Sequence, residues 1–325
     1  MSAMLSLDLI CQAQNRLRGL VHRTPLVQSR SLSDRLGAKS YLKLECLQKT
    51  GSFKPRGAFN KILTLTDEEQ RRGIVAFSGG NHAQGAAYAA RQLGISAVIA
   101  MPASTPRNYL DATRGYGAEV VLAPDIRAAL AEVARQQAAG RVRVHPFDDP
   151  LVAAGQGTVG LEILEDVPEA TEVYISIGGG GLISGIAAAL RAIKPTIRII
   201  GLETHGADAM ARALAAGRVV DMPAITSIAR TLGAPAVSEF TLAHVNALVD
   251  DVVTVTDADT VAALFWLLER TKYLLEPAAA CCLVAADQRK AQRRPGDHVV
   301  LLACGGNLSV VDLCSYRNLS RVENP

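Results

Sequence analysis

The sequence predicts an α/β fold with parallel-rich sheets covered by helices, and three observations predict it. Short apolar runs alternate with alanine-rich helical patterns along most of the chain. Glycine clusters stand where a strand pattern passes into a helix pattern, as at 78–85 and 178–181. At 325 residues the chain can bury a substantial core, as two packed lobes or as one large domain.

In chain order, Gly73 to Phe77 reads as a strand leading into a helix that begins near Asn81. Ala97 to Met101 is a second strand, followed by Pro102 and a helix opening near Thr105-Pro106. Glu119 to Leu122 is a third, and the helix after it starts at about Asp125, where an aspartate suits the positive end of the helix dipole. Gly140 to Pro150, with Pro146 inside it, reads as a crossover. The rhythm resumes with a strand at Val173 to Ile177, a glycine tetrad and a helix from Leu182 to Ile193. A strand at Ile197 to Leu202 and a helix near Asp208 to Ala216 follow. A strand at Val252 to Val255, a helix from Asp257 to about Lys272 and a strand at Val299 to Leu302 complete the series. Strands that alternate with helices in this way pair in parallel and are buried on both faces.

Hydrophobic residues at 49% and charged residues at 20% are ordinary for a soluble globular protein. A net charge of only +3 with 4% aromatics argues against nucleic acid, whose binders carry a clustered basic face. No window approaches an uninterrupted membrane-spanning length, and residues 1–20 mix polar positions through their apolar pattern, unlike a signal peptide. The expected location is cytoplasmic. Six cysteines form no C-x-x-C pair, and Cys281 and Cys282 are adjacent, so neither a zinc site nor a disulfide framework is suggested.

Three strand-to-helix turns carry the chemistry. Gly51-Ser52-Phe53-Lys54-Pro55-Arg56-Gly57-Ala58 offers a lysine that can form a Schiff base, or else a solvated lysine at a helix start. Pro55 is tolerated only in the first turn of a helix. Ser78-Gly79-Gly80-Asn81-His82 offers polar donors near a helix start, where Ser78 and Asn81 serve equally well as plain caps. Gly178-Gly179-Gly180-Gly181, with Leu182 opening a helix, lets several backbone N–H groups converge on one anion. No Walker lysine follows these glycines and the spacing is not G-x-G-x-x-G, which weakens a nucleotide reading. Lysine, asparagine and phosphate-sized glycine loop together read as a site for pyridoxal 5'-phosphate.

With these segments the chain resembles the fold-type II pyridoxal phosphate enzymes, in the group of threonine/serine dehydratases (ammonia-lyases) and serine racemases. His22 to Leu26, His145 to Pro150, Ala154 to Thr158, Leu275-Glu276-Pro277 and Cys304-Gly305-Gly306-Asn307 extend the likeness over nearly the whole chain. The resemblance implies a two-lobed fold, tryptophan synthase β-like. Residues 1–49 and 145–325 would form a large domain, residues 50–144 a small domain inserted in it, and the cofactor would lie in the cleft between them. It also implies a homodimer.

The same resemblance assigns roles. Lys54 would hold the cofactor and act as the base at the substrate Cα. Gly178, Gly179, Gly180, Gly181 and Leu182 would bind the cofactor phosphate, and Asn81 its phenolic oxygen. Ser78, Gly79, Asn81 and His82 would line the substrate carboxylate site, with His82 read as a packed structural histidine. Cys304 would face the pyridine nitrogen, where a neutral thiol does not keep that nitrogen protonated; the bland alternative is an inert buried thiol. Serine racemases of the group carry a serine where this chain has Gly79, which has no proton to give, so elimination is favoured over racemisation. Arg230 stands where the group usually has an acid, either ion-paired at the surface or facing the distal end of the substrate. Around Glu203, Glu203 and Ala207 match a divalent-cation pattern of some relatives, but Ala209 supplies no side-chain oxygen, and the reading goes against a native metal.

The expected activity is β-elimination from L-threonine or L-serine to a 2-oxo acid and ammonia. The alternatives are a dehydratase of another β-hydroxy amino acid such as 3-hydroxyaspartate, a serine racemase, a β-replacement enzyme, and a catalytically silent binding protein that kept the fold.

Overall fold

The computed structural model describes residues 4–319. The chain begins with α1 (Leu7–Leu17), β1 (Leu26–Gln28), α2 (Arg30–Leu36) and β2 (Lys39–Lys43). Next come α3 (Lys54–Ile62), α4 (Asp67–Arg72), β3 (Ile74–Phe77), α5 (Asn81–Gln92) and β4 (Ala97–Pro102). Then follow α6 (Arg107–Gly115), β5 (Glu119–Ala123), α7 (Ile126–Ala138), β6 (Val142–Arg143) and α8 (Pro150–Asp166). The third stretch holds β7 (Glu172–Ser176), α9 (Gly181–Ile193), β8 (Arg198–Thr204), α10 (Ala209–Ala216) and α11 (Glu239–Leu248). The last elements are β9 (Asp251–Val255), α12 (Asp257–Thr271), α13 (Pro277–Gln288), β10 (His298–Leu302) and α14 (Val310–Leu319).

The strands form two sheets. One has the order β5-β4-β3-β6 and is parallel throughout. Alternation along its strands explains its two faces: Ile74, Ala76 and Ile99 pack against the alanines of α5, while Val75, Val98 and Ala100 pack against Ala129 and Val133 of α7. The other sheet has the order β1-β2-β10-β7-β8-β9 and encloses the largest apolar cluster. All its pairs are parallel except β1 with β2. Only residues 29–38 join those two strands, short of the roughly 12 that a parallel crossover needs. The crossover expected at 140–150 contains β6, which extends the four-stranded sheet beside β3.

Helix α8 holds the two sheets' helices in register. A Cβ on Gly155 would lie 2.5 Å from the Arg56 carbonyl oxygen, and one on Gly157 would lie 2.8 Å from that of Gly185. Glycine is therefore what lets α8 press its backbone against α3 on one side and α9 on the other. These are the helices that carry Lys54 and the glycine tetrad. A buried charge cluster sets α3 further: Arg56 donates to Glu45 (2.8 Å) and Glu162 (2.6 Å), and Lys43 donates to the same Glu162 (2.6 Å). Burial alone would raise the Glu45 carboxyl, but Arg56 beside it more than reverses this and holds it below the usual range.

Candidate active site

The strands of both sheets end at one cleft of about 430 Å³, and the three turns singled out in the sequence line it together. Lys54 is the first residue of α3 and Pro55 the second, so the ring falls where no helical N–H is missed. The residues before it are pinned to the far end of the chain. Ser52 bridges Gly305, the Phe53 N–H donates to the Cys304 carbonyl (3.2 Å), and the Gly306 N–H donates to that of Gly51 (2.9 Å). This pairing brings the Lys54 amine and the Cys304 thiol to one cleft wall. Lys54 Nζ donates to the Pro146 carbonyl (3.2 Å) and lies 4.9 Å from the Phe53 ring centroid. Burial lowers its pKa to about 8, with Cys304 and Glu276 pulling the other way. The solvated-lysine alternative does not describe this residue.

The tetrad leads from β7 into α9, whose N-cap is Gly180 with no side chain closing the end. The first amides of a helix have no carbonyl a turn behind them, and here they open on the cleft. The glycines are required by sterics. A Cβ on Gly179 would lie 2.0 Å from the Phe147 ring, one on Gly181 would meet the Phe147 backbone at 2.8 Å, and Gly180 has φ +94°. A glycine-walled, uncapped helix start and a buried amine that line one cleft fit pyridoxal phosphate.

Ser78 and Asn81 do not cap α5. Its N-cap is Gly80, without a side-chain bond. Ser78 Oγ accepts from the Gly80 N–H (3.0 Å), and Asn81 lines the cleft. Asn81 Nδ2 donates to both Glu276 oxygens (2.9 and 3.1 Å), and its Oδ1 accepts from Asn307 Nδ2 (2.8 Å). Asn307 also donates to the Thr50 carbonyl (2.7 Å). Burial pushes the Glu276 carboxyl up to about 7, against the hydrogen bonds from Asn81 and Thr231. His82 is buried, with Nε2 2.9 Å from the Val144 carbonyl, and burial drives its pKa down to about 3. It is a neutral, packed imidazole. Cys304 is buried too, and burial pushes its thiol well above the ordinary value, so it is neutral.

Gly79 has no positive φ, and a Cβ there would meet only Thr105 Oγ1 closely, at 2.8 Å. Arg230 stands at the cleft rim, 64% exposed, with Asp312 at 4.0 Å, the ion-paired arrangement. The Glu203 carboxylate accepts the Met210 and Ala211 N–H groups (2.9 and 2.8 Å), so it closes the start of α10. Asp208 pairs with Arg212 at 3.0 Å. Among the described residues no cluster of three or more His, Cys, Asp or Glu is placed to hold a metal. No described helix is long and apolar enough to cross a membrane.

Sequence reasoning quoted Glu276, Asn307 and Phe147 inside motifs but gave them no part in the site. Their partners lie far away along the chain, so spacing carries no signal for them. Tyr109, whose hydroxyl donates to the Asn307 carbonyl (2.7 Å), had no motif at all.

The profile of the family described as pyridoxal-phosphate dependent enzyme matches residues 17–305. The chain is 44% identical over 311 residues to an L-threonine ammonia-lyase of Geobacter sulfurreducens, covering 94% of this chain and 77% of that one. It is 37% identical over 312 residues to an L-threo-3-hydroxyaspartate ammonia-lyase of Saccharomyces cerevisiae, covering 95% and 94%. Among solved structures, maize serine racemase superposes with a TM-score of 0.92 at 37% identity, covering 99% of this chain and all of that one.

Proposed function

The chain belongs to the pyridoxal-phosphate dependent enzymes, and from that premise we propose that it is an ammonia-lyase that converts L-threonine or L-serine to a 2-oxo acid and ammonia by β-elimination. One observation carries the choice of reaction: Lys54 Nζ is the cleft's amine, and at Gly79 the facing loop has no side chain from which a second proton could come.

Pyridoxal phosphate, when bound, supplies the electron sink that makes a substrate Cα–H acidic. Lys54 Nζ is the amine that would hold it and would accept the substrate Cα proton; a pKa near 8 would let it do so close to neutral pH. The amides of Gly178 to Leu182 bind the phosphate with the positive end of α9 behind them. The Ser78 hydroxyl and the first amides of α5 receive the substrate carboxylate. Asn81, held between Glu276 and Asn307, would present its amide to the ring oxygen, and the neutral Cys304 thiol would supply no charge to keep the ring nitrogen protonated. With no proton source at Gly79, loss of the β-hydroxyl outruns return of a proton to the opposite face of Cα. The L-threonine ammonia-lyase of Geobacter sulfurreducens supports this reading. A cytoplasmic homodimer belongs to the same proposal, and sedimentation equilibrium tests the dimer.

The experiment is 2-oxo acid release from L-threonine and L-serine by the purified holoenzyme, with chiral analysis of the remaining serine. The expected result is 2-oxobutanoate and pyruvate with D-serine as a minor product. A racemised fraction equal to the eliminated one overturns the reading, as does no 2-oxo acid from either substrate.

A further inference from the structure

The cleft wall beside the carboxylate loop carries a cation that has no counterion in contact among the described residues. Lys54 is bonded to the Pro146 carbonyl, and Arg230 pairs with Asp312. Arg143 lines the same cleft, yet among the described residues its guanidinium has no carboxylate within 4 Å and no hydrogen bond, and its Nε is buried without a partner. Burial lowers its pKa, and Asp148, the one acid that acts on it, does so without contact. A half-buried guanidinium with unmet donors is costly unless something supplies the acceptor.

Its position follows from the sheet. Arg143 pairs with Val75 across β6 and β3, and paired residues of parallel strands share a face. Val75 packs on the α7 side with Ala129 and Val133. On that face β3 next presents Phe77, and α7 presents Ile126 and Leu130; all three line the cleft, and Ile126 (42%) and Leu130 (38%) remain exposed. An apolar wall with one charge in it thus begins one residue before Ser78, where the carboxylate loop starts. A planar fork in an apolar wall suits a carboxylate on a short carbon chain.

We propose that Arg143 determines specificity in this cleft, its guanidinium taking the distal carboxylate of an acidic β-hydroxy amino acid of the 3-hydroxyaspartate type while Phe77, Ile126 and Leu130 flank the carbon chain. This inference rests on the ammonia-lyase reading above. It also moves the distal contact from Arg230, which already has a counterion, to a residue that has none.

Two measurements test it. In the first, 2-oxo acid release is compared on L-threo-3-hydroxyaspartate and L-threonine for the parent, Arg143→Met and Arg143→Lys. The parent turns over both substrates. Arg143→Met lowers the ratio of kcat/KM on hydroxyaspartate to that on threonine about 10- to 150-fold, mostly through KM, and Arg143→Lys recovers part of it by restoring the charge without the fork. In the second, L-aspartate and L-alanine, which lack the β-hydroxyl, are titrated into the holoenzyme by their effect on its visible spectrum. Aspartate binds the parent more tightly than alanine, and Arg143→Met removes the preference. An unchanged ratio in Arg143→Met, a parent inert to hydroxyaspartate but active on threonine, or aspartate binding no better than alanine each overturns the proposal. The aspartate preference is read without turnover, so its failure is distinguishable from failure of the lyase reading, which is judged on 2-oxo acid release and D-serine formation from threonine and serine.

Discussion

The two glycine loops of the cleft look alike in sequence and differ in what compels the glycines. At 178–181 the compulsion is steric: Phe147 lies where the Cβ atoms of Gly179 and Gly181 would go, Thr241 and Met210 crowd Gly180, and Gly180 has a left-handed φ. At 79–80 the space is nearly open. Gly80 would meet only Thr231, at 3.6 Å, and Gly79 only the Thr105 hydroxyl at close range. The first loop is glycine because its backbone must sit where it does. The second is less crowded: a side chain fits at Gly80, and at Gly79 it requires Thr105 to shift.

The largest expected effect separates the loops directly. Gly179→Ala forces the Phe147 ring to move, an overpacking that costs about 1–3 kcal/mol and disturbs the phosphate cradle. Its melting temperature and its cofactor affinity both fall, whereas Gly79→Ala changes each by a small fraction of that. Calorimetry and cofactor titration of the two variants side by side check this, and equal losses would erase the distinction.

The next effect concerns what holds the open loop, namely Glu276 through Asn81. The Glu276 pKa of about 7 in the folded chain lies above the ordinary 4.5. Between those values the folded protein keeps a proton that the unfolded chain has lost. The stability from this group is therefore full below pH 4.5 and is lost as pH rises through 7. Glu276→Gln keeps an acceptor for Asn81 and removes the titration, so its melting temperature should decline less than the parent's between pH 5 and 8. Parallel pH curves for the two proteins would mean that Glu276 is already ionised in the fold.

The smallest effect sharpens the chemical side of the comparison. Gly79→Ser places a hydroxyl on the loop at the expense of a shift in Thr105, and should add D-serine to the products while pyruvate release persists. Chiral chromatography of the serine pool measures it. Retained elimination with no gain in D-serine would mean that the loop does not govern which face of Cα is protonated.

Much of this was legible in the chain, because strand-to-helix turns announce themselves by composition. Lys54, Asn81, the tetrad and Cys304 share one cleft, as their motifs implied. What was hidden has a common cause. Helices α8 and α13 are buried almost all round, so they show no stripe of period 3.6. The glycines of α8 look like breakers until the close approach of α3 and α9 explains them. Glu276 and Asn307 act through partners that only the fold brings near, and Arg143 is conspicuous only once its missing counterion can be seen. The pattern at Glu203 has a local use that spacing does not show, since its carboxylate accepts two amides at the start of α10.

The measurement that bears most directly on the account is the site of cofactor attachment. Borohydride reduction of the purified holoenzyme should abolish its visible absorption band, and peptide mapping by mass spectrometry should then find the pyridoxyl group on Lys54. A label on Lys43, Lys49 or Lys61, or no label with the band unchanged, would contradict it.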